Sequence, residues 1–246
     1  MYPHAAPPLV VLGIPAIAAM VLVLFAAGHH RASLRAGHTR PQAAGWGLRA
    51  GAWAFAWSSA FGVAAGAGLL ARFDARPPPM AFMFAAIIGG AFLFAYSRAG
   101  SLLADQLSVT ALVGVQGFRL PLELVMSEAA AAGVMPVQLS FSGYNFDIVT
   151  GLGALAVAAL AAAGRAPRWL VVAWNVYGAA CLVVIAVIAL LTAPFVRAFG
   201  DGSVNTWVAY LPFVWLPAVC VPAALAGHIV LFRKLGRMKN HEASRR

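Results

Sequence analysis

Apolar runs alternate with short polar connections along the whole chain, and several runs approach or exceed the roughly 20 residues that a helix needs to cross a bilayer. This pattern predicts an all-α polytopic transmembrane bundle of seven spans, forming a single integral-membrane domain over 1–246. The spans are read at 8–28, 44–71, 79–96, 106–131, 147–163, 169–194 and 207–232. The longest connections, 29–43 and 132–146, are too short to hold a soluble domain.

Composition agrees with the pattern. Apolar residues make up 62% of the chain and charged ones 10%, against about 25% charged in a typical soluble domain. A soluble single-core enzyme, a disordered tail and a disulfide-stapled secreted module are therefore disfavoured together. Cys181 and Cys220 fall inside apolar runs and are read as small buried hydrophobes.

The net charge of +10 changes the picture through its distribution. The basic residues sit mostly between apolar runs, and no nucleic-acid recognition module accompanies them, so nucleic acid is not an expected partner. The expected partner is the lipid bilayer, with its anionic headgroups beside the basic connections. With the C-terminus inside, the cytoplasmic set holds Arg31, Arg35, Arg40, Arg49, Arg98, Arg165 and Arg168, together with Arg233, Lys234, Arg237, Lys239, Arg245 and Arg246. The opposite side holds only Arg72, Arg76 and Arg197. That bias orients the N-terminus outside and the C-terminus in the cytoplasm. The stretch before Pro8 lacks a basic region, so the first span is read as a retained helix rather than a cleaved signal.

Small residues predict close helix packing. Gly47 and Gly51 are one turn apart, as are Gly62 and Gly66. Pro212, Pro217 and Pro222 recur within the seventh span and predict a kink there. A three-plus-one-plus-three arrangement of spans is possible by counting, without internal sequence similarity behind it.

Chemistry concentrates on the fourth span. At 100° per residue, Asp105, Ser108, Gln116, Arg119, Glu123 and Ser127 lie within about 60° of one line, interrupted by Leu112. Charges at membrane depth cost roughly 2.5–3.5 kcal/mol each on insertion scales, so this stripe is expected to face the bundle interior or a wet cavity. Arg119 and Glu123, four residues apart, are expected to pair, with Asp147 as a further partner. The outer connection 134–147 is expected to fold toward the same place. Its Asn145 and Asp147 then join Gln116, Arg119, Glu123 and Glu128 as candidate ligand or ion-pathway residues. A carboxylate at the start of a helix also complements the macrodipole, a sufficient structural reason for Asp147.

The run Gly117-Phe-Arg-Leu-Pro-Leu-Glu-Leu124 is followed by Gly133 and Pro136, and then by Gly143-Tyr-Asn-Phe-Asp-Ile-Val-Thr-Gly151. Together they resemble a family of bacterial multi-span membrane proteins that carries no assigned activity. The closing Leu225-Ala-Gly-His-Ile-Val-Leu-Phe-Arg-Lys234 is similar too, and the resemblance covers about a quarter of the chain. It implies a multi-pass protein of the bacterial cytoplasmic (inner) membrane. It also implies that the fourth span, the loop after it and the start of the fifth act as one unit.

Several chemistries lack their residues. Lys234 and Lys239, the two lysines, lie beyond the last span, which excludes a retinal Schiff base. His-Glu-x-x-His, Gly-x-Ser-x-Gly and a P-loop are missing from the sequence. His29, His30 and His228 are predicted at similar depth and are the weak candidates for a haem or metal, though no cofactor is expected. No catalytic set is assigned. The leading expectation is transport or binding of a small polar or anionic solute or protons. A sensor, accessory subunit or scaffold held by a structural ion pair is the alternative. A membrane enzyme acting on lipid substrates is the third, since Glu123, Glu128 and Asp147 are expected near the outer face.

Overall fold

The computed structural model describes residues 6–243, and these form helices and turns without a strand. The helices are α1 (Pro8–Arg35), α2 (Arg40–Gly66), α3 (Pro79–Tyr96), α4 (Arg98–Gln106), α5 (Val109–Gly114), α6 (Arg119–Ala131), α7 (Asp147–Ala162), α8 (Arg168–Leu191) and α9 (Val221–Ala243). A 3-10 turn, Val115–Phe118, joins α5 to α6, and a π-helical turn, Leu216–Cys220, leads into α9. Five helices are long and apolar enough to cross a membrane: Pro8–Arg35, Pro79–Tyr96, Val109–Ala131, Arg168–Leu191 and Leu216–Met238. Their outward faces are apolar as well, with Leu12, Val23, Leu93 and Val183 exposed. Helices that are hydrophobic all round need lipid as their solvent, so this is a helical membrane protein.

Helix ends follow local chemistry. Pro8 and Pro79 begin α1 and α3, where a missing N–H is harmless. Thr39 and Gln42 form a capping box at the start of α2. Ser97 accepts from the Gly100 N–H and starts α4, and Ser108 accepts from the Ala111 N–H and starts α5.

These two serine caps correct the fourth predicted span. Asp105 and Gln106 do not belong to the membrane-crossing helix; they end the short amphipathic α4, and the next helix begins at Val109. The polar stripe is thereby cut: Asp105 pairs with Arg237, and Ser108 serves as a cap. The last helix also differs from expectation, beginning at Leu216 rather than near 207. Pro212 precedes it, Pro217 lies in the π-helical turn, and Pro222 falls in the first turn of α9. The wider turn accommodates a residue without an N–H, so the prolines gather at the entry to the helix.

The glycine spacing of α2 permits close approaches. A Cβ on Gly47 would stand 3.1 Å from Ala26 O and from His30 Cβ of α1, and one on Gly62 would stand 3.5 Å from Trp215 Nε1. Beside Gly62, Trp215 Nε1 donates to Ser58 O at 3.3 Å, while Trp57 Nε1 donates to Ala218 O at 2.7 Å. Two indoles thus tie α2 to the π-helical turn, whose altered ladder leaves a carbonyl free for a side-chain donor.

Basic residues gather at one end of the bundle. Arg35 donates to Gln106 O at 3.0 Å and Lys234 to Ala104 O at 3.2 Å, cations meeting the C-terminal carbonyls of α4. Arg233 donates to Ala95 O and, at 2.8 Å, to Ser101 Oγ. At the other end, Gln138 Nε2 meets Ser203 Oγ at 3.1 Å and Tyr144 stacks on Phe199, so two connections pack against each other. Arg245, Arg246 and the segment Met1–Ala5 lie outside the described residues.

The apolar interior divides into two cores. One contains Ile14, Phe118, Leu122, Trp207 and Phe213, and the other Leu103, Leu112, Val113, Trp174 and Leu231. Along the chain, Gln116 falls between Val113 of the second core and Phe118 of the first.

Candidate functional site

Pro121 has no N–H to offer the carbonyl four residues back, and the chain ahead of it is wound as a 3-10 turn over Val115–Phe118. Arg119 follows as the first residue of α6, only 1% exposed. Across from it, α7 starts at Asp147 inside the protein. Asn145 prepares that start: its Oδ1 accepts from the Asp147 N–H at 3.2 Å, an Asx-type turn.

Close backbone approach brings α6 and α7 together. A Cβ on Gly151 would stand 2.5 Å from Leu120 N, and one on Gly117 would stand 2.9 Å from Leu155 Cδ2. Over that contact Arg119 forms a bidentate pair with Asp147. Nε donates to Oδ2 at 2.7 Å, and Nη2 donates to Oδ1.

Arg119 has two further acceptors. Nη1 donates to His228 Nε2 of α9 at 2.7 Å, and Nη2 reaches Gly178 O of α8 at 3.4 Å. An arginine only donates, so His228 Nε2 carries the lone pair and Nδ1 carries the hydrogen. That Nδ1 donates to Asn175 Oδ1 at 2.7 Å, and Asn175 Nδ2 returns a bond to His228 O at 3.1 Å. The network therefore fixes a neutral imidazole. A Cβ on Gly178 would stand 2.5 Å from His228 Cε1, so glycine there makes room for the ring. Thr150 Oγ1 donates to Asp147 Oδ1 at 3.3 Å, and Trp174 Nε1 donates to Thr150 O at 3.1 Å.

Glu123 does not pair with Arg119, contrary to expectation. Asn145 Nδ2 donates to Glu123 Oε1 at 2.8 Å and to Leu139 O at 3.1 Å. The reason is geometric: Asp147 offers two in-plane oxygens to the guanidinium fork, while Glu123 sits a turn further on, beside the loop amide. Glu123 is 2% exposed, and its Oε2 has no hydrogen-bond partner. Gln116 Nε2 donates to Ala224 O at 3.2 Å, while its Oε1 also lacks a partner.

Of the residues selected from the sequence, Gln116, Arg119, Glu123, Asn145 and Asp147 are all buried here, and the last four share one hydrogen-bonded chain. Glu128 is exposed on another face of α6 and does not join them. His228 enters the cluster as the hydrogen-bond partner of Arg119, a role the sequence reading had not given it. His29 instead donates from Nδ1 to Phe25 O at 2.9 Å and packs on Phe94, and His30 faces Gly47. The three histidines thus have separate surroundings, and among the described residues no group of three or more His, Cys, Asp or Glu is placed to hold a metal ion. Asn175, Thr150, Trp174 and Gly178 were missed. Asn175 had a usable signal: an amide alone in a long apolar run needs a partner.

Two concavities lie elsewhere. One of about 430 Å³ is bordered by Phe73, Asp74, Arg76, Pro194 and Phe195, and an apolar groove of about 530 Å³ lies at Ala26, His30, Gly47 and Gly51. Neither includes a cluster residue, and Arg119 is closed off from solvent. Comparison with family models, curated proteins and solved structures finds no match to this chain.

Proposed function

We propose that the protein is a multi-pass transport or binding protein of the bacterial inner membrane. It works through the enclosed cluster around Arg119 and carries or holds a small polar or anionic solute or protons. The observation that supports this reading is surplus polarity at the centre. A structural ion pair needs Arg119 and Asp147, yet Glu123 and Gln116 are buried beside it with an oxygen each left unpartnered. Intramembrane ionisable groups are costly and mark ion or substrate pathways. The enclosed arrangement corresponds to an occluded form, and turnover requires α6 and α7 to open toward one side.

The competing reading is a scaffold held by a structural pair, favoured by the four directed bonds of Arg119. A lipid-modifying enzyme fits less well, because Glu128 lies apart from Glu123 and Asp147. Flux into phosphatidylethanolamine–phosphatidylglycerol vesicles separates the first two. Wild-type protein is expected to raise the flux of protons or of a small anion above that of protein-free vesicles. Arg119→Met combined with Asp147→Asn is expected to abolish the increase while remaining folded. A folded double variant with undiminished flux assigns the pair to structure alone.

The same proposal includes seven crossings. Helices α2, with 27 residues, and α7, with 16, complete the five longer and more apolar ones. The basic end of the bundle then faces the cytoplasm. Reporter fusions after Arg40, Gly100 and Arg165 are expected to give cytoplasmic signals, and one after Ala75 an external signal. An external signal at Arg165 would reverse the orientation.

A further inference from the structure

We infer that the cargo-bearing group of this cluster is the Glu123 carboxyl, and that what it takes up and releases is a proton. The inference rests on reading the cluster as a transport or binding site and narrows its occupant.

Arg119 is the first group to suggest an anion site, but each of its three nitrogens already donates, and four of its five N–H donors are engaged. Nε and Nη2 hold both oxygens of Asp147, Nη1 holds His228, and Nη2 also faces Gly178 O. An incoming anion would have to displace a bidentate carboxylate that is itself held by Thr150. Asp147 and His228 are likewise committed to the partners they have. That half of the cluster leaves over a single Nη1 hydrogen, too little to hold an anion against the bidentate carboxylate.

Glu123 differs. Oε1 accepts from Asn145, whereas Oε2 is buried with no donor against it. Charge points the same way. Arg119 and Asp147 cancel and His228 is neutral, so an ionised Glu123 leaves the enclosure with one uncompensated negative charge. The groups of the surrounding elements do not offset it. Arg119 lies one turn earlier on α6, and Asp147 stands on α7 with the wrong sign. The buried residues in the first half of α1 are Val10, Ile14, Ile17, Ala18 and Val21, and His29, further along the same helix, donates to Phe25 O and packs on Phe94. An isolated carboxylate charge in such surroundings is strongly penalised. One positive charge at Oε2 removes the imbalance.

A proton fits that position and a metal cation does not. Cations bind through several oxygens at once. Beside Glu123 the neighbouring amide presents its Nδ2 hydrogens, not its oxygen, and the oxygens of Asp147 face the guanidinium. A proton needs a single lone pair. A hydronium gives one proton to Oε2, leaving water and a neutral carboxyl, and the reverse step restores both.

Infrared difference spectroscopy on purified protein in phosphatidylglycerol films, titrated with pH, tests this assignment without a flux assay. The expected result is the carbonyl stretch of a protonated buried carboxyl that shifts in D2O. It should vanish in Glu123→Gln, persist in Asp201→Asn and ignore added sodium or potassium. Glu123→Gln keeps the acceptor for Asn145 and the shape of the neutral acid. Should that variant not fold, Asn145→Ala provides a second reading: losing the bond to Oε1 should shift the same band and leave its pH dependence intact. A band that survives folded Glu123→Gln, a band displaced by sodium or potassium, or a wild type without any such band would each overturn the assignment. These outcomes are independent of the flux result. Loss of flux in the Arg119/Asp147 double variant without a Glu123 band defeats the proton assignment alone. A Glu123 band in a wild type whose flux does not exceed that of protein-free vesicles defeats the transport reading alone.

Discussion

Replacing Arg119 by Met is expected to destabilise the protein by about 3–5 kcal/mol, the cost of breaking a buried ion pair from one side. Asp147 would remain at 6% exposure with its bidentate partner gone and only Thr150 and its own Asn145-capped backbone beside it. Asp147→Asn alone should cost a comparable amount, because it leaves the guanidinium uncompensated. The double variant should recover about half of either loss. Recovery is incomplete because His228 Nε2 also loses its donor, at about 1–3 kcal/mol for a buried group left unsatisfied. Thermal unfolding of the four proteins in one detergent measures the cycle. A double variant as damaged as the sum of the singles would show that the two side chains are not coupled.

Gly151→Ala is expected to be strongly damaging, because it forces apart the two helices that carry Arg119 and Asp147. The added Cβ would meet Leu120 N at 2.5 Å and Leu120 Cα at 2.9 Å. Backbone cannot rotate out of the way, so α6 and α7 must separate, and overpacking of this kind costs about 1–3 kcal/mol. The separation also lengthens the Arg119–Asp147 bonds, which adds part of the ion-pair loss. Gly227→Ala should be milder. Its Cβ would meet Gln116 Nε2, the far end of a flexible side chain, and only the bond to Ala224 O is lost. Gly89→Ala, with nothing within 4 Å, should stabilise α3 by about 0.5–1 kcal/mol through helix propensity. Melting temperatures ordered Gly89→Ala above wild type, and Gly151→Ala lowest, are the expected series; equal values for all three variants would refute the packing argument.

These contacts mark how far a sequence can be read here. Apolar length locates α3 from end to end, because Pro79 opens it and Ser97 closes it in plain view. Length alone could not divide Leu107 from Val109. Hydropathy carries no phase, and the two signals that break the run, Ser97 and Ser108, act through a single capping bond each. At the cluster, burial of Arg119, Glu123, Asn145 and Asp147 followed from the cost of charge in hydrocarbon. Their pairing did not. Spacing along one helix suggests a partner four residues away, whereas Asp147 and His228 are brought in by approaches at Gly151 and Gly178 between residues far apart in sequence.

The order in which these partners appear has a consequence for biogenesis. Chains are made from the N-terminus, and every side-chain partner of Arg119 comes after it: Asp147 by 28 residues, His228 by 109. When the α5–α6 segment reaches the insertion machinery, a guanidinium enters the bilayer alone, at a cost of about 2.5–3.5 kcal/mol. Asp147 removes most of that cost as soon as α7 follows, so the two helices are best delivered as a hairpin. His228 closes the cluster only after the final helix arrives. The demand on the insertion machinery is therefore greatest in the interval of 28 residues between Arg119 and Asp147, and falls once both helices are in place.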